Sequence, residues 1–112
     1  MLEKHIAKKK IVLILRNLFK KKGIALGKIV IFGSFTKGLR NENNDIDIII
    51  VSTDFRDKSL FERVELTTGI NRELVRKMKK PVDTIFYSDE EWEQGFSLII
   101  NTAKKEGEII FG

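Results

Sequence analysis

Apolar residues recur at helical spacing near the start of the chain, where Ile11, Ile14, Leu15 and Leu18 stand among basic side chains. The pattern predicts an amphipathic helix over residues 2–22, with Gly23 as its C-terminal stop. Ile11 to Leu15 alone would pass for a strand, but the pattern runs well beyond five residues and no Gly or Pro interrupts it. Lys28 to Phe32 is short, β-branched and bounded by Gly27 and Gly33, which marks a buried strand. Asp45 to Val51 is apolar apart from two aspartates, so it reads as a central strand with its polar positions confined to one end.

Residues 57–79 have helical composition, with Leu60, Phe61 and Val64 followed by Ile70, Leu74, Val75 and Met78. Thr67-Thr68-Gly69 interrupts or bends this segment, and the pattern fits one helix or two. Pro81 closes it, because proline disfavours helical geometry in the residue before it. Val82 to Tyr87 reads as a third strand, carrying Asp83 near its start. Ser88-Asp89-Glu90-Glu91 is a capping box that opens another amphipathic helix. Trp92, Phe96, Ile99, Ile100 and Ala103 form one stripe on it, a core face rather than a set of cofactor contacts, and Gly107 ends it. Ile109-Ile110-Phe111 is either a short edge strand or a contact for a partner chain.

With 112 residues and 42% hydrophobic content, a single domain over residues 1–112 is expected. There is no cysteine, which excludes disulfides and thiolate metal sites. No apolar run approaches the roughly 20 residues of a membrane helix and no signal peptide is apparent, so no membrane association and a cytoplasmic location are expected. The formal charge of +5 comes largely from short lysine clusters at Lys8 to Lys10, Lys20 to Lys22, and Lys79 and Lys80. Aromatic residues are not interleaved with these clusters as stacking platforms would be, so the lysines read as solvated helix ends and direct nucleic-acid binding is not expected. His5 stands alone and reads as a surface residue.

The chemically specific feature is Gly33-Ser34 directly after a strand, followed by Asp45-Ile46-Asp47. A glycine and a small hydroxyl residue suit a sharp turn into a helix N-terminus, whose free N–H groups bind anions. Gly38 and the polar segment Arg40 to Asn44 would end that short helix. Residues two apart in a strand share a face, so Asp45 and Asp47 would project together, with Cβ atoms roughly 6.5 to 7 Å apart, while Ile46 and Ile48 face the other way. Asp83 on a neighbouring strand would make a third carboxylate. Two such charges about 5 Å apart repel by roughly 3 kcal/mol at an effective dielectric near 20, so the cluster calls for cations, and oxygen ligands of this kind suit Mg²⁺.

Gly33-Ser34, Asp45-Ile46-Asp47 and Asp83, in this order and spacing, resemble the minimal nucleotidyltransferases of the DNA polymerase β-like superfamily. Asn44, where a serine often precedes the first aspartate, is a minor departure. The resemblance covers nearly the whole chain and implies an α/β (α+β) fold, a small mixed sheet flanked by helices. It implies two Mg²⁺ ions held by Asp45, Asp47 and Asp83, ATP as substrate, and Gly33 and Ser34 on the β- and γ-phosphates. Lys37 and Arg40 would support the leaving pyrophosphate, or are ordinary loop charges. Larger relatives carry a domain for the acceptor, and none fits in this chain. The family's implied partner is a HEPN-type ribonuclease toxin, with AMP transferred to a toxin tyrosine by a type VII-like antitoxin. Two other readings stay open: an antitoxin acting by contact alone, and a nucleotidyltransferase subunit acting on a small molecule or RNA.

Overall fold

The computed structural model describes residues 2–33, 45–95 and 97–112, with side chains from His5 onward. The elements run α1 (Leu2–Lys22), β1 (Lys28–Phe32), β2 (Ile46–Val51), a single 3-10 turn (Thr53–Phe55), α2 (Leu60–Leu66), α3 (Ile70–Met78), β3 (Val82–Tyr87), α4 (Asp89–Gln94), α5 (Leu98–Glu106) and β4 (Glu108–Phe111). The four strands form one mixed sheet in the order β3-β2-β1-β4, flanked by helices on both faces. β1 pairs antiparallel with β2 and β4, and β2 pairs parallel with β3. A parallel pair needs a crossover connection, which α2 and α3 supply. No helix among the described residues is long and apolar enough to cross a membrane.

Alternation along β2 divides the core in two. Ile46, Ile48 and Ile50 pack with Ile29 and Ile31 against Ile11, Leu15 and Phe19 of α1 and Ile70 and Leu74 of α3. Ile49 and Val51 point to the opposite face, where Val30, Trp92, Ile100 and Ala103 bury them under α4 and α5. A strand covered on both faces has no solvated side to keep polar, which is why β2 reads as a nearly unbroken apolar run. Fully burying one such side chain contributes about 1.5 to 3 kcal/mol.

Gly23 ends α1 as expected: its φ is +69°, and the Ile24 N–H donates to the Phe19 carbonyl at 3.0 Å. The 57–79 segment is two helices. The Thr67 hydroxyl donates back to the Arg63 carbonyl at 2.7 Å, and Gly69, with φ +89°, turns the chain into α3. Leu60, Phe61 and Val64 remain exposed rather than joining the core.

The single helix expected after Ser88 is also two. Ser88 caps α4 with the full capping box, but Gly95 takes φ +65° and ends it, and Ser97 caps α5 anew. The stripe therefore breaks: Trp92, Ile100 and Ala103 are buried, Ile99 is largely exposed, and Phe96 lies outside the described residues. Ile109-Ile110-Phe111 belongs to β4, an edge strand on β1, tied to α1 by the Lys8–Glu108 ion pair at 2.8 Å and by Arg16 over the Phe111 ring.

Arg63 joins three elements. Nearly fully buried, it donates to the carbonyls of Lys58 at 3.1 Å and Phe86 at 2.9 Å, and pairs with Glu91 at 2.6 Å. Its guanidinium also lies 6.0 Å from the centre of the Phe55 ring, which meets Phe86 edge-on. Burial alone would push the Glu91 carboxyl up, but the Ser88 N–H and Arg63 outweigh it and hold the group below the usual glutamate range.

Candidate active site

One end of the sheet gathers the carboxylates. β1 arrives with its C-terminus, while the parallel strands β2 and β3 begin there, so Phe32 and Asp83 both lie beside Asp47 in register. The Ile46 N–H donates to the Pro81 carbonyl at 3.0 Å and fixes that register at the strand starts. Because Asp47 and Asp83 are opposed in a parallel pair, they leave the sheet on the same face. Asp45, just before β2, is exposed, Asp47 is partly buried, and Asp83 is exposed at the sheet edge.

The other two carboxylates act on Asp47. Its carboxyl is held above the usual aspartate range by burial, then by the negative charges of Asp83 and Asp45, with a hydrogen bond to Asp83 acting in the same direction. Among the described residues none of the three aspartates is paired with a lysine or arginine. Among the described residues, the cluster therefore carries negative charge without a basic partner.

Gly33 closes the site on the β1 side. Its φ is +82°, and a Cβ built on it would overlap an Asp47 carboxylate oxygen and lie 3.4 Å from the Asp47 Cγ. Glycine is required here twice over, for its backbone conformation and for the space its missing side chain leaves to Asp47. Ser34, Lys37, Gly38, Arg40 and Asn44 lie outside the described residues.

Asn71 of α3, which the sequence reading passed over, also shapes the site. Its side-chain amide donates to the Val82 carbonyl at 2.7 Å and to the Thr84 side-chain hydroxyl at 3.3 Å, so it binds the main chain before Asp83 and the side chain after it. No local signal separates it from the polar Arg72 and Glu73 that follow it.

Among the described residues, no group of three or more His, Cys, Asp or Glu stands ready-made around a metal ion. The donor set nonetheless fits a hard divalent cation. All donors are carboxylate oxygens, and a cation between them would relieve the repulsion that raises Asp47.

Comparison with known proteins identifies the fold. A family model described as a nucleotidyltransferase domain matches residues 8–110. No curated relative matches the chain. Among solved structures, a toxin-antitoxin with AMP-PNP aligns over 88% of this chain and 71% of its own, at 21% identity and a TM-score of 0.63. A tri-AMPylated Shewanella oneidensis HEPN toxin in complex with MNT antitoxin matches over 97% of this chain and 72% of that one, at 22% identity and a TM-score of 0.60. A putative nucleotidyltransferase from Sulfolobus solfataricus matches over 95% of this chain and 84% of its own, at 17% identity and a TM-score of 0.56. At these identities the likeness shows the fold. Together with the match over residues 8–110, it leads to one conclusion: the chain belongs to the nucleotidyltransferase domain family.

Proposed function

We propose that this protein transfers AMP from ATP to a hydroxyl, that of a tyrosine on a partner HEPN ribonuclease toxin, and acts as the antitoxin of that pair. The observation that carries the reading is the meeting of Asp47 and Asp83 across a parallel strand pair, with Asp45 beside them and Gly33 against Asp47. The solved toxin-antitoxin structures, one with AMP-PNP and one with an AMPylated toxin, supply the acceptor class. In this reading one cytoplasmic domain supplies the nucleotide side of the reaction and the partner supplies the acceptor.

Asp45, Asp47 and Asp83 would hold two Mg²⁺ ions, which when bound neutralise developing phosphate charge and lower the pKa of the attacking hydroxyl. Gly33 and Ser34 cradle the β- and γ-phosphates, and Lys37 and Arg40 stabilise the departing pyrophosphate. Asp83 takes the acceptor proton. The acceptor oxygen forms its bond to the α-phosphorus as the bond to the pyrophosphate oxygen breaks, so AMP moves to the acceptor.

The test is incubation with labelled ATP, Mg²⁺ and the product of the adjacent gene, following the partner's mass. A gain of one AMP that disappears in the Asp45→Asn, Asp47→Asn double variant is expected. Full neutralisation of the partner at unchanged mass would sink the catalytic reading in favour of inhibition by contact. Label transferred to RNA or a small molecule would replace the acceptor.

A further inference from the structure

Helix α2 gives one side to the core and leaves its outer side bare. Arg63 and Leu66 turn inward, Arg63 onto the Phe86 carbonyl and Leu66 against the buried cluster under α1 and α3. Leu60, Phe61 and Val64 lie on the outer side, where they are 72%, 72% and 59% exposed. Residues three and four apart are neighbours on a helix, so Phe61 and Leu60 both meet Val64 and the three form one apolar strip. A lysine and a glutamate bracket it: Lys58 immediately before the cap residue Ser59, and Glu65 one turn beyond Phe61. Among the described residues neither of these two side chains has an ion-pair or hydrogen-bond partner. The other acidic groups of the segment are engaged within the chain. Glu62 accepts from the Ser59 N–H at 2.9 Å, Asp54 accepts from the Ala25 N–H at 2.7 Å, and the charge of Asp57 acts on Arg56.

We propose that this face is a self-association surface, on which α2 of a second copy packs antiparallel about a two-fold axis. Charge selects both the occupant and the direction. An antiparallel pair brings Lys58 of each copy to Glu65 of the other, whereas a parallel pair would oppose lysine with lysine and glutamate with glutamate. The register agrees. The midpoint of Lys58 and Glu65 falls between residues 61 and 62, and the midpoint of Leu60 and Val64 falls at residue 62, so one axis serves the charges and the apolar strip together. That axis places Phe61, an aromatic anchor, at the centre of the contact. Three apolar side chains per copy cover less than a permanent interface needs, so the dimer is weak and forms at high concentration. Arg63 ties α2 to the Phe86 end of β3, away from Asp83, so pairing leaves the carboxylate cluster uncovered and does not depend on the reaction proposed above.

The test is sedimentation equilibrium of the full chain from about 10 μM to about 1 mM, at neutral pH and low salt, where a monomer–dimer equilibrium should appear. Phe61→Asp should weaken it at least about tenfold. The melting temperature of the dilute variant should not fall, because Phe61 is outside the core, and this separates lost pairing from lost folding. Lys58→Glu and Glu65→Lys should each weaken the dimer at least about threefold, since each sets like charges against one another at both ends of the contact. The Lys58→Glu, Glu65→Lys double variant should recover the parent affinity, and so should an equimolar mixture of the two single variants. An apolar face that merely adheres would show neither the loss nor the recovery. A chain that stays monomeric throughout, a dimer indifferent to Phe61→Asp, or a double variant no tighter than the single ones overturns the proposal. A monomeric chain that loses the product of the adjacent gene on Phe61→Asp would assign the face to that partner and overturn self-association as well.

Discussion

The main chain of Gly33 lies directly against the carboxylate of Asp47, so the end of β1 and the acidic cluster of β2 are built as one piece. Gly33→Ala should therefore fail in two ways. The left-handed backbone at this position costs a non-glycine residue about 1 to 2 kcal/mol, which a urea titration would read. The added methyl must also displace Asp47, and a misplacement near 1 Å is expected to lower AMP transfer about 100-fold.

Asp47 gives a prediction with a definite sign. A carboxyl whose folded-state pKa is raised favours the protonated form, so the metal-free protein loses stability as pH rises from the unfolded value through the folded one. Asp47→Asn should then melt higher than the unsubstituted protein at neutral pH without divalent cations, and the gap should close below the ordinary aspartate range. Adding Mg²⁺ should raise the melting temperature of the parent and not that of the variant. A variant that melts lower at neutral pH without metal would show that the cluster is not under repulsion.

Asn71 acts on the site through Asp83. Asn71→Ala leaves the Val82 carbonyl without its side-chain donor, which costs about 1 to 3 kcal/mol if water does not replace it. The kinetic expectation is a fall in kcat for AMP transfer of roughly tenfold with the KM for ATP unchanged, since Asn71 acts through the position of Asp83 and is not among the residues proposed to hold the phosphates. A change confined to KM would remove it from this positioning role.

Arg63 should matter for the fold rather than the chemistry. Arg63→Ala removes the donor to the Phe86 carbonyl and strips Glu91 of its partner, at a cost of about 2 to 3 kcal/mol in urea unfolding with little change in the slope. Because Glu91 is held low in the folded state, the stability it contributes is present above its unfolded pKa and is lost as pH falls through the folded value. A double-mutant cycle of Arg63→Met with Glu91→Gln should show coupling at neutral pH that fades on acidification.

How far the sequence revealed this molecule depended on which physical effect decided each segment. Strand runs and the Asp45/Asp47 alternation were legible because they follow from a period of two, and the caps at Gly23 and Ser88 because they depend on nearest neighbours. Gly95 alone does not announce a break, since a helix tolerates one interior glycine at a cost of about 1 kcal/mol; Ser97 restarting the cap is what decides it. Leu60, Phe61 and Val64 carry a helical pattern yet stay exposed, and only tertiary placement distinguishes that face from a buried one. Of the site, the three aspartates could be named in advance, whereas the exact pairing of Asp47 with Asp83 and the contact of Gly33 with Asp47 are properties of strand register. No local pattern encodes register between strands this far apart. Phe19, fully buried, continues the Ile11–Leu15 stripe of α1 by one more turn, whereas Phe55, also fully buried, stands alone in the turn after β2, where no periodicity marks it.

The position of β4 on the outer side of β1 has a consequence for the order of assembly. About 13 residues separate β1 from β2, but about 75 separate β1 from β4, which makes the second closure more costly by about 1.5 kcal/mol of chain entropy. Pairing of β1 with β2 should come early and docking of β4 late. Gly33 and Asp47 are both set by the early pairing, so the carboxylate end of the sheet should become protected from hydrogen exchange before the β4 edge does.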